Sequence, residues 1–240
     1  MSNPVSELTI EKIKEILENG DFNEFVGKIE VDHFEAKQPK PYMIDSKVSN
    51  ERFSARVELV GDIAAMANSN GGYIICGLST EKEEGFQTDR VTEIKMFGSN
   101  SFYSQDEIQK VIKAHIHPEL QVVVIWHPSK SDPKLGIGSI YIPRQAESKK
   151  HFIVTAVEID GMKQKHFVAI PIRQGSEPVW MSAKQLYKEA ASKRPNDIKR
   201  AHDSLSAQIA ELSSAVLTGK VASTPADDIQ RKIKEVLDVH

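Results

Sequence analysis

The sequence predicts an α+β fold in which a mixed or antiparallel sheet packs against helices and a C-terminal helical appendix follows. Before Ser182, short apolar runs with a period of two alternate with stretches of helical spacing. After Ser182 only helical spacing is found, with breaks at Pro195 and at 219–225. The predicted parts are an N-terminal helix (1–20), an α+β domain (21–190) and a C-terminal helical segment (191–240).

Length, charge, cysteine content and the absence of long apolar runs exclude several classes of protein. A chain of 240 residues can bury a full core, and its formal charge of -3 argues against coating of nucleic acid by overall charge. The single cysteine, Cys76, lies in an apolar run and predicts a buried thiol in a reducing compartment. No basic and apolar leader opens the chain, and no apolar run approaches the ~18 residues of a membrane span. We therefore expect a soluble, cytoplasmic protein with no membrane partner.

The first predicted elements are a short helix and a strand. Residues 9–19 place isoleucine and leucine at helical spacing, with Thr9 as N-cap and Gly20 as C-terminal stop. From 28 to 37 the pattern has a period of two, with Ile29, Val31 and His33 on one face, which predicts a strand that ends before Pro39.

A long helix is predicted over residues 51–69, after a polar linker whose Ser49 or Asn50 supplies the N-cap. Asn-Gly-Gly at 70–72 then ends the helix and reverses the chain into a buried strand at 73–78. The helix residues expected to face away from the core are Arg52, Arg56, Glu58 and Asp62.

The middle of the chain predicts one further helix and four strands. Residues 79–85 are expected to form a polar loop, and no element is assigned from there to residue 101. The sequence 104–107 has the form of a capping box and opens a helix that ends near Pro118. The predicted strands span 120–126, 137–142, 153–159 and 166–173, with Asp160-Gly161 as a hairpin turn between the last two.

Charged residues interrupt the first predicted strand at Glu30, Glu35 and Lys37. Two carboxylates and an ammonium group can hold a divalent metal together with a phosphate, as metal-assisted phosphodiester cleavage requires. Residues five apart in a regular strand point to opposite faces, so Glu30 and Glu35 converge only if the strand starts after Glu30 or contains a bulge. The alternative interpretation is that Glu30 and Asp32 form a solvated face.

Residues 64–78 continue this pattern with a helix end, Ala-Ala-Met-Ala-Asn-Ser-Asn-Gly-Gly, that leads into an apolar strand. Together with Glu30-x4-Glu35-x-Lys37, this stretch resembles the AlbA-like domain of the Schlafen family. That family has an acidic residue and Glu-Phe-Lys, then Ala-Phe-Ala-Asn-Thr-x-Gly-Gly and a strand. Residues 116–118, the strand at 122–126 and Arg173-Gln-Gly-Ser are similar to later parts of that domain. The resemblance extends over about residues 20–186.

The resemblance implies binding of nucleic acid, either RNA or DNA. It also implies that Glu30 and Glu35 are metal ligands for Mg²⁺ or Mn²⁺ and, with Lys37, catalytic residues if the chain cleaves RNA. Members of the family that cleave RNA use a third acidic residue after the glycine-ended strand. Here Ser79 occupies that place, and Glu81 is the nearest carboxylate. Binding therefore follows more directly from the resemblance than cleavage does.

Basic residues predict two candidate tracks for a phosphate backbone. In the first, the two arginines are i and i+4 on the long helix and follow a linker with two lysines. Ordinary surface charge is the alternative for every one of these residues. Tyr42 and His151 are candidates for stacking a base, with packing as their alternative. The first track is Lys37, Lys40, Lys47, Arg52 and Arg56, and the second is Lys149, Lys150, Lys163, Lys165 and Arg173.

The C-terminal segment contains a short heptad seam at Ile198, Leu205, Ile209, Leu212 and Val216. Such a seam packs on its own domain or joins a partner, and the sequence leaves both open. Two hypotheses therefore stand: a nucleic-acid-binding protein with metal-dependent nuclease activity as an additional expectation, or a non-catalytic regulatory or assembly subunit. In the second, the C-terminal helices make a homo-oligomer or bind a protein partner, for example in a bacterial defence complex.

Overall fold

The chain divides into two compact units, Met1–Met181 and Ser182–His240. The computed structural model describes residues 8–82, 88–160, 163–174 and 177–182, and further on residues 184, 185, 188, 206, 207 and 210. Those last six residues are helical. The predicted seam and the helix breaks at Pro195 and at 219–225 lie outside the described residues.

In these ranges the first unit contains three α-helices and eleven β-strands. The helices are α1 (Ile10–Asn19), α2 (Ser49–Asn68) and α3 (Gln105–His115). The strands are β1 (Phe34–Lys37), β2 (Gly72–Cys76), β3 (Leu78–Lys82), β4 (Asp89–Ile94), β5 (Ile116–His117), β6 (Val123–Pro128), β7 (Gly136–Ile142), β8 (Ile153–Asp160), β9 (Lys163–Ala169), β10 (Pro171–Gln174) and β11 (Glu177–Trp180). None of these helices is long and apolar enough to cross a membrane.

The central sheet has the strand order β1-β2-β7-β6. β1 runs parallel to β2, and the other two pairings are antiparallel, so the sheet is mixed. Within the described residues, smaller antiparallel sheets are formed by β3 with β4, by β5, β8 and β9 in that order, and by β10 with β11. The predicted α+β class is confirmed for this part of the chain.

The central sheet separates two apolar cores. On one side α2 and α3 pack against Ile74 and Ile140, and on the other α1 packs near Phe34. Successive strand residues point to opposite faces, so Phe34 lies on the α1 side while Glu35 and Lys37 point toward α2. The charged pair therefore enters the core between the sheet and α2.

The caps of two helices agree with the sequence. The Thr9 hydroxyl accepts a hydrogen bond from Lys12 N, and Gly20 ends α1 in the left-handed region at φ 68°. Ser104 and Glu107 form the predicted capping box of α3. These side chains satisfy backbone groups that have no partner within the helix.

The N-cap prediction for α2 is wrong. Val48 is the N-cap and makes no side-chain cap bond. Its carbonyl already accepts the N–H of Arg52 at 3.0 Å, so Ser49 lies inside the helix.

The first strand begins later than the predicted range 28–37. Val31 and Phe34 exchange backbone hydrogen bonds of 3.2 and 3.0 Å, so that Asp32 and His33 form a tight turn. The regular strand begins only after this turn, at Phe34. Alternation of apolar residues therefore indicated a strand where the chain actually reverses.

Two other predictions are wrong. The predicted polar loop at 79–85 begins as strand β3, which pairs with β4 in the stretch that received no assignment. The predicted strand at 166–173 is two strands, β9 and β10, which belong to different sheets. They meet at Pro171, which has no backbone N–H with which to continue a ladder.

Candidate functional site

Glu30 lies just before the turn at Asp32 and His33, which folds it back beside β1. Its Oε1 accepts the backbone N–H of Ala36 at 2.8 Å. As whole residues, Glu30 and Glu35 are only 5% and 6% exposed, so the solvated-face interpretation is wrong for Glu30. It is correct for Asp32, which is exposed. The condition for the two glutamates to converge, a strand that starts after Glu30, is met.

Each oxygen of the Glu35 carboxylate contacts a cation. Arg173 Nη1 lies 2.8 Å from Oε2, and Lys37 Nζ lies 3.0 Å from Oε1. The three side chains of Glu35, Lys37 and Arg173 are 8%, 19% and 0% exposed. In ion pairs shielded from water, each charge depends on its partner, and removing one partner leaves the other buried and uncompensated.

Lys37 extends this network to α2. Its Nζ lies 3.1 Å from Asp62 Oδ2 and 3.4 Å from Glu58 Oε1. Tyr42, which is fully buried, donates its hydroxyl to the same Asp62 oxygen at 2.7 Å. We call the set Glu35, Lys37, Arg173, Asp62 and Tyr42 the Glu35 network.

Arg173 is held from several directions. Besides Glu35, its guanidinium contacts the carbonyl of Val31 at 3.4 Å, and its backbone N–H reaches Ser69 Oγ at 3.4 Å. The sequence placed Arg173 among the phosphate contacts. The structure places its side chain inside the protein, where its charge faces a carboxylate.

Burial determines the ionisation of the acids. It raises the pKa of Glu30 to about 8, and the charge of Glu35 adds to this effect. It raises the pKa of Asp62 to about 6, with the Lys37 charge opposing. For Lys37, burial lowers the pKa, but Asp62 and Glu35 outweigh burial and raise it above its usual range. At neutral pH Glu30 is therefore largely protonated, and Asp62 and Glu35 balance Lys37 and Arg173.

As arranged, Glu30 and Glu35 do not fit Mg²⁺ or Mn²⁺, which require oxygen ligands that are free to coordinate. Both oxygens of Glu35 contact cations, and one oxygen of Glu30 accepts the Ala36 N–H. No group of three or more His, Cys, Asp or Glu residues that could hold a metal is found among the described residues. A divalent ion at Glu35 would have to displace a cation of the chain.

Among the described residues that follow the glycine-ended strand, 78–82, none supplies the third acid. Ser79 lies in β3, and its hydroxyl accepts a hydrogen bond from Gln38 at 3.0 Å. Glu81 is exposed further along β3, in register with Arg90 of β4. The carboxylate next to Lys37 and Glu35 is instead Asp62.

The sequence prediction placed Asp62 on the outer face of its helix, and this is wrong. All residues of α2 from Leu59 to Asn68 are buried, so this half of the helix has no solvated face. The signal in the sequence was the composition of the segment 59–68, where Asp62 and Asn68 are isolated among apolar and small residues. A helix half that is apolar on all sides is a buried one, and its polar side chains need partners inside.

The loop between β1 and α2, residues 38–48, carries the two lysines that the first predicted basic track places in the linker. Lys40 and Lys47 are exposed on it, and Lys40 Nζ lies 3.3 Å from Asp45 Oδ2. Met43 and Val48 are also exposed, at 49% and 53%. We call this segment the β1–α2 loop.

Two arginines of α2 hold the β1–α2 loop. Arg52 Nη1 donates to the carbonyl of Ser46 at 2.8 Å, and Arg56 Nε donates to the carbonyl of Ile44 at 3.3 Å. Both arginines are half-buried. The structure thus brings Lys40, Lys47, Arg52 and Arg56 to one loop, whereas Lys37 of the same predicted track belongs to the Glu35 network.

The second predicted track is not an array of free charges. Lys149 is exposed, but Lys150 is half-buried, with its side chain only 8% exposed, and donates to the carbonyl of Ser69 at 2.6 Å at the end of α2. The side chains of Lys163 and Lys165 lie outside the described residues. Tyr42 is completely buried, so of its two sequence interpretations packing is correct.

A comparison with models of protein families gives one match. The model described as Schlafen, AlbA_2 matches residues 30–201, which is more than half of the chain. A comparison with curated proteins found no match. The matched segment begins at Glu30 and includes the whole Glu35 network and the β1–α2 loop.

Proposed function

The chain belongs to the Schlafen, AlbA_2 family, and from this we propose that it is a nucleic-acid-binding protein of the Schlafen/AlbA-like type. The proposed contact surface is the β1–α2 loop with Lys40, Lys47, Arg52 and Arg56. Arg173 is not part of this surface, because its side chain is 0% exposed.

The observation that carries the proposal is the concentration of positive charge in this loop and the first turns of α2. Residues 38–56 hold four Lys or Arg and two Asp or Glu, which is a net charge of +2 in a chain of net charge -3. A local basic face is what an acidic chain needs to bind a phosphate backbone. The exposed side chains of Met43 and Val48 add apolar surface beside these cations, and such surface can contact bases or sugars.

Lys40 and Lys47 are the best residues for testing this surface. The two arginines also hold loop carbonyls, so replacing them would disturb the loop as well as its charge. We expect Lys40→Glu/Lys47→Glu to weaken binding of labelled tRNA and single-stranded DNA about tenfold or more, measured by fluorescence anisotropy. The matched control is Lys14→Glu/Lys134→Glu, which reverses two other exposed lysines and should leave binding within about twofold.

Two outcomes would contradict the proposal. Wild-type protein that binds neither nucleic acid at low salt rules out the function. Equal losses in the loop variant and the control variant rule out the loop as the surface.

Metal-dependent cleavage of RNA is implied by the resemblance but is not part of this proposal. Incubation of tRNA with Mn²⁺ or with EDTA tests it on the same samples. Because the cations of the Glu35 network contact both oxygens of Glu35, we expect binding without Mn²⁺-dependent cleavage.

The second candidate function is a non-catalytic regulatory or assembly subunit. It is favoured by the Glu35 network, in which the carboxylates are neutralised by the chain itself. Its C-terminal seam lies outside the described residues, so oligomerisation stays a prediction. Light scattering of the full chain tests it, and a monomer over the whole accessible concentration range contradicts self-assembly.

A further inference from the structure

We infer that Glu35 is a structural junction whose charge is neutralised by the chain's own cations, Arg173 and Lys37, and that it is not a ligand for a divalent metal. This differs from the role implied by the resemblance, in which Glu30 and Glu35 hold Mg²⁺ or Mn²⁺. It is also independent of the proposed binding surface on the β1–α2 loop.

The first step of the argument is the geometry of Glu35. Its Oε2 lies 2.8 Å from Arg173 Nη1, and its Oε1 lies 3.0 Å from Lys37 Nζ. An 8% exposed carboxylate with a cation on each oxygen has its charge already compensated. A divalent ion bound there would add two positive charges next to two that are already present.

The second step is that each contact joins a different element. Glu35 and Lys37 belong to β1, Arg173 to β10 and Asp62 to α2. Glu35 and Arg173 are separated by 138 residues in sequence, so their pair closes a very long loop. The network therefore connects three parts of the first unit that are distant in the chain.

The third step is the balance of charge. Two carboxylates, Glu35 and Asp62, oppose two cations, Lys37 and Arg173, at N–O distances of 2.8, 3.0 and 3.1 Å. This is the arrangement in which buried charges are tolerated, because every charge has a partner.

A double-mutant cycle tests the junction through the thermal midpoint Tm. We expect Glu35→Gln and Arg173→Met each to lower Tm by about 6 °C or more, because each leaves one buried charge without its partner. The double variant should lose less than the sum of the two single losses. Glu58→Gln is the matched control, since Glu58 also contacts Lys37 but is 54% exposed, and it should shift Tm by about 2 °C or less.

A metal titration provides the second readout and needs only the wild-type chain. Electron paramagnetic resonance of free Mn²⁺ should show no stoichiometric binding, and Mn²⁺ should not raise Tm. The inference is overturned by additive losses in the cycle. It is equally overturned by a Mn²⁺ site of the wild type that is lost in Glu35→Gln or, where that variant does not fold, in Glu35→Asp.

Discussion

Asn68 and Phe152 are joined by two hydrogen bonds. Phe152 N donates to Asn68 Oδ1 at 2.7 Å, and Asn68 Nδ2 donates to the Phe152 carbonyl at 2.9 Å. The same amide nitrogen also donates to the carbonyl of Pro171 at 2.8 Å. One buried side chain thus ties the end of α2 to the segment before β8 and to the start of β10.

Replacement of Asn68 by alanine is expected to destabilise the first unit by about 2–4 kcal/mol. It leaves two buried carbonyls and one N–H without their partner, and an unsatisfied buried group costs about 1–3 kcal/mol. Chemical unfolding monitored by tryptophan fluorescence measures the loss. Asn70→Ala is the matched control, because Asn70 is exposed in the following turn. Equal stability of the two variants would show that the three bonds contribute little.

The sequence predicted the Asn68 region only in part. It identified Gly71 and Gly72 as the residues that end α2, and their φ angles are 75° and 148°. The turn sequence at 68–72 favours a bond from the Asn68 side chain to the backbone of that turn, but the partners of Asn68 lie 84 and 103 residues away. Local rules describe a turn from its own residues, whereas such distant partners follow from the packing of the whole unit.

The same limit explains which residues of the candidate site could be predicted from the sequence. Glu30, Glu35 and Lys37 could be selected from local spacing, because the turn that folds Glu30 back beside β1 is formed by the residues between them in the sequence. The role of Arg173 could not, because its partner Glu35 is 138 residues away. Asp62 was missed for another reason, since a stripe predicted from periodicity assumes that the helix has a solvated face.

Glu30 is expected to make stability fall as pH rises from about 5 to 8. Its pKa is raised from 4.5 to about 8 in the folded protein, so between these values the folded state binds the proton and the unfolded state does not. Raising the pH removes this advantage and lowers the free energy of unfolding by a total on the order of 3 kcal/mol between pH 5.5 and 8. Below pH 4.5 both states are protonated and the effect vanishes.

Glu30→Gln isolates this effect, because glutamine keeps the oxygen that accepts the Ala36 N–H. We expect the variant to gain stability over the wild type at pH 8.5 and to show little difference at pH 5. Urea unfolding at the two pH values measures both differences. If the difference in stability between wild type and variant is the same at both pH values, Glu30 titrates normally.

Lys47 is expected to contribute one phosphate contact to nucleic-acid binding. Replacing an exposed lysine by alanine at such a contact makes the negative slope of log K against log salt shallower by about 0.7 for a single strand. Anisotropy titrations of single-stranded DNA at several salt concentrations measure the slope for Lys47→Ala. The matched variant Lys14→Ala should keep the wild-type slope, and an unchanged slope in Lys47→Ala would exclude Lys47 from the contact.

Gln105 is expected to protect the edge of the central sheet. In the described residues β6 is an outer strand, and its exposed side chains include Val123 and Ile125. Gln105 Nε2 donates to the Val122 carbonyl, and its Oε1 accepts the Val124 N–H, both at 2.8 Å. The side-chain amide thus occupies the backbone groups that a further strand would use, and open apolar edges promote association of chains.

Gln105→Ala should therefore increase concentration-dependent association, because it exposes the N–H of Val124 and the carbonyl of Val122. Light scattering over a concentration series measures this, and circular dichroism checks that the fold is kept. Gln121→Ala is the matched control, since Gln121 is exposed nearby and its side chain donates to the side chain of Glu119. If Gln105→Ala associates no more than Gln121→Ala, the edge of β6 is protected by other features, such as Pro128 at its end.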